Sequence, residues 1–331
     1  MKETLTVSQE LVDRLAGGFR DAQVLLAATR LGVFDALEQG GQSADELAGQ
    51  LDADPRGMRI LCDALVGLGI LERKDEQYRN GVPAKECLLS TSAHSKTAQM
   101  HHMARLYAKW GFLYDTVKTG SPVTDETIDP QLSPGRAAFA RAMADSARVS
   151  ADLTASSLDL ANVGKMLDIG GGPGVFAIEF ARRNPELEVT ILDDEETLSV
   201  ARQNIENAGL VGRIRTRPGN AFSDDLGSGY DFIFISNVIH IFSAAENADL
   251  VRRCAEALAP GGRLGIKDFF VDPQRSGPSW ALLFAVNMLV NTERGDCYSR
   301  PEIISWFDAA GLRFREEIVI TERSQLLVAE R

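Results

Sequence analysis

The sequence predicts an α/β protein in which a doubly wound parallel sheet follows a mostly helical N-terminal part. Two observations carry this prediction. From residue 165 onward, short apolar runs alternate with helical segments, which is the pattern of repeated βα units. The first run, 165–169, passes through four glycines and a proline in 170–174 directly into a helical segment over 175–183. Backbone without side chains at a helix N-terminus lets a ligand approach closely, so we expect a binding site at this turn.

Local signals justify each N-terminal element. Apolar residues recur at helical spacing over 8–38, Ser43 precedes an acidic first turn, and Asp54 with Pro55 can open a further helix. A strand at 69–73, a polar turn and a return strand follow. Three helices and a hairpin are the plan of a winged helix.

The remaining segments complete the predicted organisation. Residues 94–118 and 137–160 are predicted to be helical, and 119–136 is predicted to be a linker or surface loop because it holds three prolines. We therefore expect a domain boundary at 118/119. The predicted strands of the second domain lie at 165–169, 188–193, 213–217, 230–236 and 262–268, with an antiparallel pair at 313–320 and 324–329.

The composition argues against several classes of protein. The 331 residues are 44% hydrophobic, which is enough for two domains with substantial cores, and the formal net charge is −12. An acidic balance argues against binding of nucleic acid. The N-terminus lacks the apolar region of a signal peptide, and no apolar run reaches about 18 residues, so no membrane span is expected. The cysteines at 62, 87, 254 and 297 form no CxxC pair, which is typical of reduced thiols in the cytoplasm.

The glycine-rich turn is compatible with more than one ligand. The segment 172–177 also fits the dinucleotide pattern G-x-G-x-x-A. Asp168, two residues before the first glycine, argues against a pyrophosphate group and suits a ligand that carries a cation or hydroxyls. Asp193, at the end of the next predicted strand, can bind two ribose hydroxyls in either case. A tight turn without a ligand is the third alternative, although so many glycines are costly without a use.

Several motifs in order identify a family. They are LDIGGGPG, ILDDEETLSVAR, PGNAF, SNVIHIFSAAEN, LAPGGRLGIKD and NMLVNTERGDCYSRPEIISWFDAAGL. With them the chain resembles the class I S-adenosylmethionine (SAM)-dependent O-methyltransferases with an N-terminal winged-helix dimerisation domain. That group includes plant caffeate-type, hydroxyindole and bacterial polyketide-tailoring enzymes.

The resemblance implies both architecture and activity. It implies a winged-helix dimerisation domain over 1–118 and a Rossmann-like, SAM-binding catalytic domain over 119–331. The implied activity is methyl transfer from SAM to a hydroxyl of a small aromatic or polyketide-like molecule, with S-adenosylhomocysteine (SAH) as product. The implied assembly is a homodimer through the N-terminal domain, in the cytoplasm.

The resemblance also assigns cofactor contacts position by position. Asp168 would hold the amino group of SAM, Asp193 its ribose, and Asn220 the adenine amino group, at a position where the family usually has an aspartate. Ordinary loop capping is the alternative for Asp193 and Asn220. The full implied set is Phe139, Met143, Asp168, Gly170, Gly172, Gly174, Asp193, Asn220, Ala221, Ser236 and Asn237.

For catalysis, the resemblance implies that His240 is a general base. An imidazole with a pKa near 6.5 can take the proton of a phenol, whose own pKa is near 10, as the oxygen attacks. Asp268 stands where plant relatives carry a glutamate that orients the histidine, and the second flanking acid falls on Cys297. The aromatic and acidic residues that usually follow the histidine are replaced by Ile241 and Phe242. A core or capping role is the alternative for His240.

The acceptor pocket is implied less specifically, and about half of its residues are expected to be core or dimer contacts. Neighbouring histidines on a helix point about 100° apart, so His101 and His102 are not expected to share a metal ion. The implied pocket residues are His101, His102, Met103, Trp110, Phe284, Asn287, Met288 and Asn291.

Three alternatives stay open at the level of sequence. The same scaffold can methylate carbon or nitrogen, or catalyse a reaction without methyl transfer. A winged-helix DNA-binding regulator is another possibility, although the recognition-helix segment 55–69 is mostly apolar and suits a protein interface better. A nicotinamide-dependent dehydrogenase is the third.

Overall fold

A computed structural model describes residues 7–124, 127–128 and 136–331, apart from the side chains of residues 136–139, 141, 142, 145 and 146. The chain divides into two compact units, Met1–Tyr107 and Ala108–Arg331. The helices are α1 (Val7–Gly17), α2 (Phe19–Leu31), α3 (Val33–Ala36), α4 (Ala44–Gln50), α5 (Pro55–Gly67), α6 (Val82–Cys87), α7 (Thr97–Trp110), α8 (Leu113–Thr119), α9 (Arg136–Ser157), α10 (Val175–Arg183), α11 (Glu195–Asn207), α12 (Ala244–Ala257), α13 (Ser279–Asn291) and α14 (Arg300–Ala309).

The N-terminal unit is a group of helices with one hairpin, as predicted. Ser43 and Glu46 form a reciprocal capping box at α4, and Asp54 caps α5. The hairpin pairs β1 (Leu71–Lys74) with β2 (Gln77–Asn80), and the apolar core includes the side chains of Phe34, Leu47, Met58, Leu65 and Tyr78.

The C-terminal unit contains one seven-stranded sheet. Its strands are β3 (Lys165–Ile169), β4 (Glu188–Asp193), β5 (Ile214–Pro218), β6 (Tyr230–Ser236), β7 (Leu258–Asp268), β8 (Arg313–Thr321) and β9 (Ser324–Glu330). They lie in the order β5-β4-β3-β6-β7-β9-β8. Strands β3 to β7 are parallel, and β9 is antiparallel to both β7 and β8. The predicted doubly wound sheet with a C-terminal antiparallel hairpin is confirmed.

This strand order places a switch point at β3. The chain leaves β3 toward β4 on one side and later returns to β6 on the other side. Ligands of open α/β sheets bind in the crevice at the carboxyl ends of the strands at such a point. Two apolar cores cover the two faces of the sheet, one with residues of α9, α10 and α11 and the other with residues of α12 and α14.

Some predicted boundaries were wrong for local reasons. The segment 8–38 is three helices, and Gly32 separates the second from the third because its left-handed φ of 79° ends α2. The segment 94–118 is two helices, α7 and α8. Strand β7 begins at Leu258 instead of 262, because its pairing with β6 continues across a register shift between Tyr230 and Phe232.

Among the helices that the structure describes, none is long and apolar enough to cross a membrane.

Candidate active site

The loop between β3 and α10 has a conformation that requires glycine. Gly170, Gly172 and Gly174 have φ angles of 66°, 55° and 79°, in the left-handed region that other residues rarely adopt. At Gly171, a Cβ atom would lie 2.5 Å from Oδ2 of Asp168, so no side chain fits there. The loop therefore presents bare backbone at the switch point of the sheet.

Asp168 is a buried carboxylate whose charge is not compensated. It is 1% exposed, and among the described residues neither of its carboxylate oxygens has a hydrogen-bond partner. Burial, helped by the negative charge of Asp193, raises the pKa of Asp168 to about 7. Burying an unpaired polar group is costly. A bound cation with N–H donors would satisfy this carboxylate, so Asp168 fits the amino group of SAM.

Asp193 connects the glycine loop to the end of β4. Its Oδ2 accepts a hydrogen bond from the Gly172 N–H at 2.8 Å, and its Oδ1 accepts from the Asp194 N–H at 2.7 Å. Burial raises the pKa of Asp193, although these two N–H donors act in the opposite direction. Each oxygen keeps a second lone pair, so the carboxylate can still accept from hydroxyls of a ligand while it fixes the loop.

The end of β6 adds two further unsatisfied polar groups. In the described part of the chain, the Ser236 Oγ and the Asn237 Oδ1 are buried without a hydrogen-bond partner. Asn237 has a left-handed φ of 57°, and its N–H donates to the Lys267 carbonyl at 2.9 Å, which ties it to β7. Since β3 and β6 are neighbours, these orphaned groups and Asp168 lie at the carboxyl ends of adjacent strands. Such a cluster is typical of a site that a polar ligand completes.

Asn220 has a different environment from the one implied. It is exposed, its Oδ1 accepts from the Phe222 N–H at 2.9 Å, and its own N–H donates to Asp224 Oδ2 at 2.9 Å. This is the local capping geometry of the alternative interpretation. Its role toward adenine stays a prediction.

The other implied cofactor residues differ in what can be said of them. Ala221 is 9% exposed and packs in the apolar core beside β6 and α12. Met143 is half-buried on α9, and the side chain of Phe139 lies outside the described residues.

His240 and Asp268 form a buried pair. His240 lies in a short 3-10 helix, Ile239–Ile241, that follows β6, and Asp268 is the last residue of β7. The His240 Nδ1 lies 2.7 Å from Asp268 Oδ1, and this oxygen also accepts from the Phe269 N–H at 2.8 Å. Because an ionised carboxylate only accepts, the proton is on Nδ1 and the lone pair of Nε2 is available as a base. The structure thus brings together the two residues predicted for catalysis.

Aromatic side chains hold the imidazole in place. Phe284 meets the His240 ring edge-on with centroids 5.0 Å apart, and Phe269 lies nearly parallel to it with centroids 6.1 Å apart. Trp280 packs edge-on against Phe269. The sequence-based reasoning did not identify Phe269 or Trp280 as site residues. The position of Phe269 directly after Asp268 was the available signal for the first, and no local signal marked the second.

Cys297 occupies the position of the second acid as a neutral group. It is fully buried in a small apolar cluster with Val271 and Ala281. Burial raises the pKa of the Cys297 thiol to about 12, and the negative charges of Asp268 and Asp296 act in the same direction. Cys297 therefore supplies no negative charge to orient His240, whereas the carboxylate of Asp268 contacts the imidazole directly.

Part of the implied acceptor pocket is brought together around α13. Phe284, Asn287 and Asn291 share one face of this helix, and the Trp110 Nε1 donates to Asn287 Oδ1 at 3.0 Å. Met288 is only 6% exposed, which makes it a core residue.

The remaining pocket residues lie on α7 within the N-terminal unit. His101 and Met103 are exposed there. His102 is half-buried, and burial, with the nearby charge of Arg105, lowers its pKa. Their assignment to the acceptor pocket stays a prediction.

Comparison with known proteins decides the family. A family model described as an O-methyltransferase domain matches residues 124–313, and a second, described as an O-methyltransferase dimerisation domain, matches residues 13–91. The chain belongs to the O-methyltransferase family. A relative in Streptomyces sahachiroi, 3-hydroxy-5-methyl-1-naphthoate 3-O-methyltransferase, is 33% identical over 307 residues, which cover 91% of this chain and 88% of the relative.

Two solved structures that contain SAM or SAH are similar to this chain over nearly its full length. Human N-acetylserotonin methyltransferase in complex with SAM superposes with a TM-score of 0.85 at 26% identity, covering 100% of this chain and 99% of the other. A structure of PigF with SAH gives a TM-score of 0.88 at 25% identity, covering 99% and 100%. The predicted family, the fold class and the SAM-dependent O-methyltransferase activity are thereby confirmed.

Proposed function

We propose that this O-methyltransferase methylates a hydroxyl group on a small fused-ring aromatic or polyketide-like molecule, with His240 as the general base. The observation that carries the proposal is the buried His240–Asp268 pair, which leaves one imidazole nitrogen as a proton acceptor between aromatic side chains. The flat, apolar surroundings suit an aromatic ring. The naphthoate substrate in the name of the Streptomyces relative is an acceptor of this kind.

In this proposal, the glycine loop, Asp168, Asp193, Ser236 and Asn237 hold SAM. The unsatisfied atoms of Asp168, Ser236 and Asn237 and the lack of room for a side chain at Gly171 support the fit. When bound, SAM would supply a methyl group on a sulfonium, whose C–S bond would break with neutral SAH as the leaving group. Asp168 contributes a negative charge that compensates a cationic ligand, and Asp193 keeps the loop in its open, left-handed conformation.

His240 acts on the acceptor hydroxyl. Its Nε2 takes the proton as the O–H bond breaks and the oxygen forms its bond to the methyl carbon. Asp268 keeps the proton of the neutral ring on Nδ1 and stabilises the imidazolium that results. The two phenylalanine rings hold the imidazole so that little reorientation is needed. The proton then leaves His240 to solvent, which restores the base.

We further propose that the enzyme is a homodimer formed through its N-terminal domain. Leu11, Leu15 and Phe19 are 46%, 67% and 51% exposed, and they recur every four residues along α1 and into α2. An exposed apolar stripe of this kind is typical of a helix that packs against another chain. The match to a dimerisation domain supports the same assembly.

The exact domain boundary, the class of acceptor and the cellular location are part of the same proposal. The proposed boundary at 118/119 falls at the last residue of α8, whereas the division into compact units falls within α7. The net charge of −12 favours a small-molecule acceptor over nucleic acid. Four free cysteines support a location in the reducing cytoplasm.

Two measurements test the proposed function. Isothermal titration calorimetry should show binding of SAM and SAH, and mass spectrometry with hydroxynaphthoates should show a gain of one CH₂ on oxygen. Amino- and carbon-acceptor analogues serve as controls. A product methylated on carbon or nitrogen instead of oxygen would exclude the proposed acceptor atom.

A further inference from the structure

The 3-10 helix that carries His240 is held from the side by one buried amide. Asn247, in the first turn of α12, is fully buried, and its Nδ2 donates to the Ile239 carbonyl at 2.8 Å and to the Phe242 carbonyl at 3.3 Å. Backbone carbonyls can only accept, so the Asn247 atom that faces them is the nitrogen. One amide group therefore bridges the residue before His240 and the second residue after it.

This amide is attached to a rigid element. Ser243 and Glu246 form a reciprocal capping box at the start of α12, and the Asn247 N–H donates to the Ser243 carbonyl at 3.0 Å. The 3-10 helix, in contrast, has three residues, and the Phe242 N–H that closes it lies 3.3 Å from the Ile239 carbonyl. Short 3-10 helices have poor hydrogen-bond geometry. The orientation of the imidazole therefore depends on contacts from outside the 3-10 helix, and Asn247 supplies two of them.

The same amide is a poor choice for stability alone. The Asn247 Oδ1 is buried, and no residue in the part of the chain that the structure describes donates a hydrogen bond to it. A buried acceptor without a donor is costly, and an apolar side chain of similar shape would avoid that cost. Leu250 and Val251, one turn further along α12, are apolar and fully buried. What the amide adds, and an apolar side chain cannot, is a fixed position for two carbonyls.

We propose that Asn247 is a positioning residue for the reaction, because it holds the carbonyls on either side of His240 and so keeps the imidazole aligned with Asp268 and with the acceptor. This inference rests on the proposed function, in which His240 is the base. Asn247 contacts backbone alone, so it acts on the rate only through His240. Displacement of a catalytic group by about 1 Å can lower a rate by on the order of 100-fold. Loss of the amide should therefore appear in kcat.

The kinetic test removes both donors and keeps the shape of the side chain. In Asn247→Leu, we expect kcat to fall by about 10-fold or more, with KM for SAM within about 2-fold of the wild type. In a His240→Ala background, the same change should alter kcat by less than about 2-fold, because no base is left to position. A merely structural role would lower kcat by the same factor in both backgrounds.

The bond between His240 and Asp268 provides a readout that is independent of turnover. A proton on the His240 Nδ1, 2.7 Å from a carboxylate oxygen, should give a downfield NMR resonance. The chain contains four histidines, so labelling with ¹⁵N-histidine gives a simple spectrum, and the loss of the resonance in His240→Ala assigns it. In Asn247→Leu, the resonance should move upfield or broaden beyond detection.

Asn80 provides a matched control in the N-terminal unit. It is 2% exposed, its Nδ2 donates to the Phe34 carbonyl at 2.8 Å, and its Oδ1 is also buried without a donor among the described residues. Asn80→Leu removes the same kind of bond. It should lower the Tm as Asn247→Leu does, whereas kcat and the downfield resonance should stay as in the wild type. If Asn247→Leu does not fold, the smaller Asn247→Ala replaces it with the same expectations.

The outcomes separate this inference from the proposed function. A downfield resonance that is unchanged in Asn247→Leu, or a kcat that falls equally with and without His240, would overturn the inference. If His240→Ala itself keeps the wild-type rate, the proposed base is wrong. The resonance then decides the inference alone, since an imidazole that stays bonded to Asp268 without the amide is not held by Asn247.

Discussion

The imidazole of His240 and the carboxylate of Asp268 are joined by a 2.7 Å hydrogen bond although 28 residues separate them in the chain. The sheet brings them together, because His240 follows β6, Asp268 ends β7, and these strands are parallel neighbours. Both residues are buried, at 8% and 1% exposure. A base that is oriented by one carboxylate and sheltered from water is the main catalytic element of the proposed mechanism.

Replacing the proposed base should stop turnover without loss of cofactor binding. We expect His240→Ala to lower kcat by roughly 100-fold or more, the usual contribution of a general base. Calorimetry should find SAH affinity close to that of the wild type. The double variant His240→Ala/Asp268→Asn should be no slower than His240→Ala, because Asp268 acts through the imidazole. A rate that is unaffected by His240→Ala would show that the base lies elsewhere.

The affinity for SAM should depend on the protonation of Asp168. Its pKa is raised to about 7 in the free protein, and a cationic amino group binds better to the ionised carboxylate. Lowering the pH from 8 to 6 should therefore weaken binding, by up to about 10-fold for each pH unit below the pKa. Titrations of SAH at several pH values measure this. In Asp168→Asn, binding should be weaker and this pH dependence should largely disappear. If SAH affinity depended equally steeply on pH in the variant, the pH dependence would belong to another group.

The same carboxylate should reduce the stability of the ligand-free protein. Its folded-state pKa is raised above the unfolded value of 3.8, so the folded state binds the proton more tightly. The favourable contribution of Asp168 to the free energy of unfolding is complete below about pH 4 and is lost as the pH rises through about 7. Asp168→Asn should therefore raise the Tm of the ligand-free protein at pH 8 by a few degrees, which corresponds to roughly 1–3 kcal/mol in the free energy of unfolding. Addition of SAH should raise the Tm of the wild type, and it should raise the Tm of the variant much less. A lower Tm in the variant would contradict this account.

Gly295 should be essential for the position of His240. A Cβ atom at Gly295 would lie 2.3 Å from the carbonyl oxygen of His240 and 2.5 Å from the Thr292 Oγ1. Because the first contact is with backbone, Gly295→Ala must displace the 3-10 helix that carries His240. We expect kcat to fall by about 10-fold or more and stability by roughly 1–3 kcal/mol, with SAH binding retained.

A matched substitution controls for the effect of alanine itself. At Gly212, a Cβ atom would meet nothing within 4 Å, so Gly212→Ala should leave both rate and Tm nearly unchanged. Wild-type activity in Gly295→Ala would show that the segment after α13 does not position the base.

The sequence was sufficient for features that depend on local patterns. The alternation of apolar runs and helical segments predicted the parallel sheet, and the glycines after Ile169 predicted a ligand-binding turn. Both signals are properties of short segments, because they depend on strand or helix periodicity and on left-handed backbone. Family motifs located His240 and Asp268. Exact boundaries were less predictable, since the end of α2 depends on one glycine and the start of β7 on pairing with β6.

Relations between distant residues were decided only by the tertiary structure. Trp110 and Asn287 are 177 residues apart, and nothing in either segment indicates that the indole fixes the amide. The isolation of Asp168, the packing of Phe269 against the imidazole and the contact of Gly295 with the His240 carbonyl are of the same kind. Hydrogen bonds, burial and steric contact depend on distances across the folded chain, whereas sequence patterns report only on neighbours along it.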